Sequence, residues 1–558
     1  MPDLALATVL ALLVLAPLLQ SGFVLVGDMV FVPDQPWKAA WTGGDGGVPR
    51  AVPSDAWVAL VDEVVPGALL QKIVLLLVLI GAGTGMGRLV AGHHFAARAG
   101  AITLYVWNPF VYERLAIGHW ALLVGYAALP WVAVAALRLR RGPDPVAWAL
   151  LATGLAAAAW SSPSGGVITL GVTLVLLWGA WRRWAWAAAL GLWVNLPWLV
   201  PAFGNQEDQL APDPLGVLAF AARADTPWGV LGSLLTFGGI WKESIVPDDR
   251  LSLWRSGLAL LLVVVAVAGL VLSRRNPVLP VRPAWVLALG SLALAGASAV
   301  PALRPVVEWL VVHVPGGGML RDSQKWLMPW VLVACTGVAS ALGWLQGRLA
   351  GHGRQAQRWV VAWAVLPLLA LPSLAWGLSG FVRTEQYPSE WHELRAAMDQ
   401  VVSNEDRVLV LPFSTYRMFA WNTRAVLDPV PRFFPGQMVT DDALAVPSGV
   451  VGGESALAER IRLAEGPEEL STVLAEAGVG WILVHRGGDE IEVPDGATLV
   501  FDGPTLRLYE LEGSGAVPAT AQPARALAYA LVDASVLLGT AVLVGLSIRS
   551  SRNSDKPG

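Results

Sequence analysis

The sequence predicts a polytopic α-helical membrane protein of about twelve TM helices, with a C-terminal extracytoplasmic α/β domain inserted before the last TM helix. Three observations predict it. Apolar runs long enough to cross about 30 Å of hydrocarbon recur along 558 residues that are 55% hydrophobic and only 14% charged, with a mean hydropathy of +0.56. Arg-rich connections alternate with acid- and proline-rich ones. A long stretch, 381–524, separates the last two apolar runs.

In lipid each run must satisfy its own backbone hydrogen bonds, so each is read as a helix. The runs are 4–26, 68–91, 97–112, 119–137, 146–161, 166–181, 185–203, 253–273, 283–302, 326–346, 359–380 and 526–548. The third is short and is interrupted by Asn108-Pro109. The first begins Met1-Pro2-Asp3, with no basic leader or small-residue cleavage site, and reads as a retained helix. Cations gather in the even-numbered connections, as with Arg138, Arg140 and Arg141 in the fourth and Arg182 and Arg183 in the sixth. Acids gather in the odd-numbered ones, as with Asp28, Asp34, Asp45, Asp55, Asp62 and Glu63 in the first. The positive-inside bias then makes both termini cytoplasmic, including the tail 549–558. It puts loops 27–67, 204–252 and 303–325 of the 1–380 transmembrane domain outside, together with 381–524, and 525–548 is the final span.

Within 381–524, SEWHELRAAMDQVV reads as a helix with Ser389 as its N-cap. RVLVLPF and GWILVH read as buried strands, 454–464 and 467–476 as helices, and ATLVFDGPTLRLYEL as a hairpin turning at Asp502-Gly503. A formal charge of -4 and the lack of a basic, aromatic-interleaved surface stretch exclude nucleic acid as a partner. The single cysteine, Cys335, lies in an apolar run and reads as a small core residue, so no disulfide framework exists. Most of the 28 Trp read as interfacial anchors or helix packing. Nucleophile elbow, Walker loop, dinucleotide fingerprint and zinc-protease motifs are all missing.

Chemistry must therefore come from dispersed residues, and three clusters supply them. Asp28 emerges directly from the first run, where a carboxylate at the water boundary suits a general base; Asp34 follows as a second catalytic candidate. Either acid alternatively caps a helix near 54–65, and together they are the one place for a divalent metal, whose use the sequence leaves unknown. Between Tyr105 and Trp120, Glu113, Arg114 and His119 follow Asn108-Pro109 and either pair with one another or bind an anionic headgroup. In GGGMLRDSQKW, Arg321 and Lys325 fall on one face if helical, which suits a phosphate, with Asp322 beside them as a binding residue or a salt-bridge partner.

The layout, with NPFVYERLAIGHW, LRDSQKW and RVLVLPF, resembles the GT-C superfamily of multi-pass membrane glycosyltransferases, in the branch of arabinofuranosyl and mannosyl transferases. The resemblance implies transfer of a sugar from a polyprenyl-phosphate donor to a cell-envelope glycan or glycolipid acceptor on the outer face of a bacterial cell membrane. It implies Asp28 as the first-loop acid, with Asp34 second, although the acid doublet common in such families is a single acid in Gly27-Asp28-Met29. Two other readings stand beside it: a lipid or glycan transporter, and a non-catalytic envelope-assembly protein of the same fold. Spans almost free of charge near their centres speak against passage of a substrate.

Overall fold

The computed structural model describes residues 1–47, 50–205, 209–349, 353–487, 493–494, 496–511 and 523–554. Among them, eight helices are long and apolar enough to cross a bilayer: Pro2–Leu19, Gly67–Leu89, Trp120–Arg141, Trp181–Gly204, Leu253–Leu272, Val281–Ala299, Ser323–Arg348 and Ala524–Arg549. A ninth counts if Val361–Ala370 and Pro372–Ser379, bent by 74°, form one span. The chain is a multi-pass membrane protein.

The other three predicted runs form helices that do not reach that length. The third breaks into Phe95–Val106 and Pro109–Ala116, because Asn108 adopts extended backbone and its side chain accepts the Val111 amide as an N-cap. Pro145–Ser161 and Pro163–Leu176 are apolar but have 17 and 14 residues, and Ser162 ends one and caps the next. At 1.5 Å per residue both fall short of about 30 Å. The first run also stops early: Pro2–Leu15 tightens into a 3-10 turn at Ala16–Leu19, and Phe23–Val24 is already a strand.

The soluble part is built on a five-stranded sheet: β1 (Arg407–Leu411), β2 (Gln437–Val439), β3 (Val479–His485), β4 (Ala497–Asp502) and β5 (Leu506–Leu511). Their order is β4-β5-β3-β1-β2, with β1 parallel to both neighbours and the two pairings of β5 antiparallel. Central strands covered on both faces read as unbroken apolar runs, which is why VLVL and WILV are so plain in the sequence. The β4–β5 hairpin turns where the Asp502-Gly503 pair predicts, with the Gly503 amide donating to the Leu506 carbonyl at 2.9 Å. Helix Ser389–Val401 starts as expected, but its N-cap is Pro388 and Ser389 makes no capping bond. Glu390 of this helix instead accepts the Thr505 and Leu506 amides, both at 2.7 Å, and ties the helix to β5.

Two features join this domain to the bundle. The apolar core runs without interruption from Leu79, Tyr105 and Val331 through Phe31 to Trp391 and Phe434. Phe23–Val24 pairs antiparallel with Thr384–Glu385, and Gly27 then bonds the strand Asn422–Leu427, its amide to the Ala425 carbonyl at 2.9 Å and its carbonyl to the Leu427 amide at 2.8 Å. The first loop is thus an added strand of the soluble domain. Trp376, Gly377, Leu378 and Ser379, with φ of 60°, 66°, 56° and 54°, make one left-handed turn where the chain passes from the last bent helix into that domain. For the three residues with a Cβ such a turn costs about 1–2 kcal/mol each.

Candidate active site

Asp28 is fixed by backbone before any side chain acts. Its amide donates to the Ile117 carbonyl at 3.0 Å, and Gly27 and Gly118, with φ of 52° and 79°, face each other across that contact. A Cβ on Gly27 would overlap the Ile117 carbonyl, and one on Gly118 would overlap the Val26 carbonyl and the Met29 amide. Only glycine permits both the close approach and the backbone conformation. The turn before helix Trp120–Arg141 and the first loop therefore lock together, with Asp28 on one and His119 on the other.

Side chains then set the charge. Asp28 Oδ2 lies 3.2 Å from His119 Nε2, and the Tyr416 hydroxyl donates to Asp28 Oδ1. Arg114 Nη1 lies 2.8 Å from His119 Nδ1; a guanidinium only donates, so Nδ1 accepts and the proton of the neutral ring is on Nε2, directed at Asp28. Burial pushes the Asp28 carboxyl up, but the hydrogen bonds from His119 and Tyr416 and the Arg432 charge outweigh it and leave the group below its ordinary range. Burial, reinforced by the Asp28 charge, pushes the Tyr416 hydroxyl well above its usual range, so it stays a donor.

Arg114 is fully buried and held in turn by a bidentate pair with Asp322, at 2.6 and 3.2 Å. It also donates to Gln324 Oε1, and Gln324 Nε2 donates to Glu113 at 2.8 Å. Burial opposes ionisation of Asp322, yet Arg114 and Lys325 carry its carboxyl down to about 2. The network binds two distant segments, Tyr105 to Trp120 and Gly316 to Trp326, into one unit behind Asp28.

In front of Asp28 is a cleft between bundle and soluble domain, with lobes of about 380 and 800 Å³. Asp28, His119, Arg321, Asp322, Lys325 and Tyr416 line both lobes. Arg321 is paired with Glu454 at 2.9 Å. Lys325, and on the larger lobe Arg223 and Lys242, have no carboxylate partner within 4 Å among the described residues. Phe220, Trp241, Val446 and Pro447 give the larger lobe an apolar wall.

Of the residues singled out in the sequence, five therefore meet at one cleft: Asp28, His119, Arg321, Asp322 and Lys325. Arg114 and Glu113 lie behind it, both fully buried, and do not line it. Asp34 is elsewhere: its side chain is 73% exposed, it faces Arg395 at 3.8 Å and it lines neither lobe. Asp28 and Asp34 thus do not share either lobe, and the side chains bonded to Asp28 are two hydrogen-bond donors, His119 and Tyr416. Among the described residues no group of three or more His, Cys, Asp or Glu side chains is arranged to hold a metal ion. Tyr416 and Arg223 are the site residues that sequence patterns do not pick out, whereas Lys242, in a polar connection that the sequence reads as either cleft-lining or a solvated loop, lines the larger lobe. Tyr416 lies 388 residues from Asp28, and nothing local marks it.

No protein-family model matches the sequence, and no curated protein matches it significantly. Among solved structures, the cryo-EM structure of the arabinofuranosyltransferase AftD from Mycobacteria superposes with a TM-score of 0.57 and 17% identity, over 91% of this chain and 40% of that one. A mutant of the same protein gives a TM-score of 0.55 and 16% identity, over 91% and 41%. ArnT from Cupriavidus metallidurans, in a crystal structure bound to undecaprenyl phosphate, aligns at a TM-score of 0.39 and 14% identity, over 91% and 98%, too loosely to add weight. The chain spans about 40% of the length of the mycobacterial protein. At these identities the likeness is one of fold alone, shared with the aligned part of the mycobacterial arabinofuranosyltransferase.

Proposed function

We propose that this chain, with its GT-C fold, is a membrane glycosyltransferase that moves a sugar from a polyprenyl-phosphate donor to a cell-envelope glycan or glycolipid on the outer face of a bacterial cell membrane, both termini being cytoplasmic. The observation that carries the reading is the cleft, which the Asp28 carboxylate shares with cations that have no carboxylate within 4 Å among the described residues, beside an apolar wall.

In this reading the acceptor hydroxyl attacks the anomeric carbon as the bond from that carbon to the phosphate oxygen breaks. The oxygen leaves with the bonding electrons as a polyprenyl phosphate, and Lys325, Lys242 and Arg223 balance its charge. Asp28 takes the hydroxyl proton. A carboxylate held below its ordinary range is a weak base, but an alcohol oxygen becomes strongly acidic as it bonds to an oxocarbenium-like carbon. The weak base suffices because transfer of the proton is late. Each carboxylate oxygen has two lone-pair sites, so His119 and Tyr416 leave room for the acceptor.

The test is transfer of radiolabelled sugar from a purified polyprenyl-phosphate-sugar pool to envelope glycans in proteoliposomes. Wild-type protein transfers label and Asp28→Asn does not. Undiminished product from Asp28→Asn removes the assignment.

A further inference from the structure

Beside the Asp28 cleft is another cavity, of about 340 Å³, between the first loop and the soluble domain. That volume is in the range of small-molecule sites, roughly 300–1,000 Å³. Arg50 and Asp442, paired at 3.0 Å, line both this cavity and the smaller lobe of the cleft, and so stand between them.

The two spaces differ in free charge. In the cleft, Lys325, Lys242 and Arg223 are unmatched by carboxylates. In the second cavity Arg50 is matched by Asp442 and Arg432 by Asp55, each at 3.0 Å. Asp441 is matched by Arg462 at 3.3 Å. Lys38 is 3% exposed, and its Nζ donates to the Pro431 carbonyl at 2.7 Å. Burial, with Arg395 and Arg432 nearby, lowers its amine to about 7, so about half of it is uncharged at neutral pH.

The groups left over are of another kind. Among the described residues, the Gln437 amide and the Thr440 hydroxyl have no side-chain hydrogen bond, and the Asp45 carboxylate takes one backbone amide, from Gly47 at 3.1 Å, and no cation. Among the described residues Asp45 forms no ion pair within 4 Å, Arg407 acting on it only at longer range, and burial holds its carboxyl above the ordinary range. An amide, a hydroxyl and a carboxyl group at half-buried depth donate to and accept from hydroxyl groups. They offer little to a phosphate, for which an unmatched cation is the usual anchor.

We propose that this cavity binds an uncharged, hydroxyl-rich ligand, a neutral glycan, and that the Arg50–Asp442 pair is the latch between that glycan and Asp28. Arg50 is 45% exposed, whereas Asp442 is held by the Glu454 and Ser455 amides at 2.7 and 2.9 Å, so Arg50 is the half of the latch that swings into solvent. Only the identification of the glycan with the sugar acceptor rests on the transferase reading; the binding site does not.

The experiment uses the full chain in nanodiscs, titrated with fluorescently labelled glucan, mannan and arabinan fragments of two to six residues. Oligogalacturonate fragments and inorganic phosphate serve as anionic comparators. At least one neutral series binds; Thr440→Val and Gln437→Ala each weaken it, and together by at least tenfold, while Asp28→Asn retains it. Thermal unfolding shows that each variant is folded, and the single variants decide the matter if the double variant is not. The proposal is overturned if no neutral fragment binds, if the anionic comparators displace or outbind the neutral ones, or if Asp28→Asn loses binding and the Gln437 and Thr440 variants do not. Fragments that bind to a protein inactive in the transfer assay overturn the transferase reading and leave this site standing.

Discussion

Asp28 and Asp34 lie six residues apart in the first loop, with the same side chain, yet they have opposite fates. Asp28 is clamped by backbone bonds to Ile117 and, through Gly27, to the strand Asn422–Leu427, and its oxygens face His119 and Tyr416. Asp34 stands 73% exposed at the far end of the same stretch, with a loose contact to Arg395. A carboxylate acquires chemistry from what fixes its position and sets its charge, and neither is a property of the loop itself.

The contrast can be broken or sharpened in steps. Its sharpest form is a pair of substitutions: Asp28→Asn lowers transfer by about 10³-fold, within the usual range for loss of a general base, whereas Asp34→Asn leaves the rate within about twofold. Equal losses in the two would end the distinction. Next comes the support behind Asp28. Asp322→Asn leaves the buried Arg114 without its carboxylate and costs about 2–4 kcal/mol, discounted for the partial exposure of Asp322 and read as a lowered unfolding temperature. The Asp322 carboxyl is depressed to about 2, so its contribution is complete above the unfolded carboxyl pKa of about 4 and fades as pH falls toward 2. Over that window the wild type loses more stability than the variant does, since Asp225, Asp28 and Asp428 titrate in both.

Smaller effects refine the picture. Lys325→Met weakens use of the phosphate-linked donor by about tenfold, seen as a raised donor KM with the acceptor KM unchanged. A change in the acceptor KM alone puts the phosphate elsewhere. Tyr416→Phe removes one of the bonds that hold the Asp28 carboxyl down, so its pKa rises. Activity requires the ionised form and is lost as pH falls through that pKa, so the acid limb of the pH–rate profile moves to higher pH. An unmoved limb dissociates Tyr416 from Asp28.

Helices and hairpin are legible in the sequence because their determinants are local. The apolar runs, the Asn108-Pro109 break and the Asp502-Gly503 turn each depend on a few neighbouring residues. Helix count is less legible, since the two runs on either side of Ser162 read as spans yet form helices of only 17 and 14 residues. The site is legible by halves. Cations placed against the orientation bias in LRDSQKW and charges after Asn108-Pro109 mark two segments as unusual, and these meet through Arg114, Asp322 and Gln324. Their electrostatic roles are not legible: Arg114 proves matched and buried, Arg321 is bound to Glu454, and Lys325 has no carboxylate within 4 Å among the described residues. Tyr416 escapes notice because its strand Tyr416–Phe419 pairs with Asn422–Leu427, and only the bonds of that second strand to Gly27 bring it near Asp28.

The strand that the first loop adds to the soluble domain has a temporal side. Asp28 leaves the ribosome 388 residues ahead of Tyr416, which at about 5–20 residues per second is a delay of roughly 20–80 s. For that interval the nascent chain has its first helix inserted and its loop without the partner strands at 384–385 and 422–427. The Asp28 carboxylate is therefore among the first residues made yet is seated only once residues 416–427 exist, so a chain arrested before residue 416 carries every helix of the early bundle without the Asp28–Tyr416 contact.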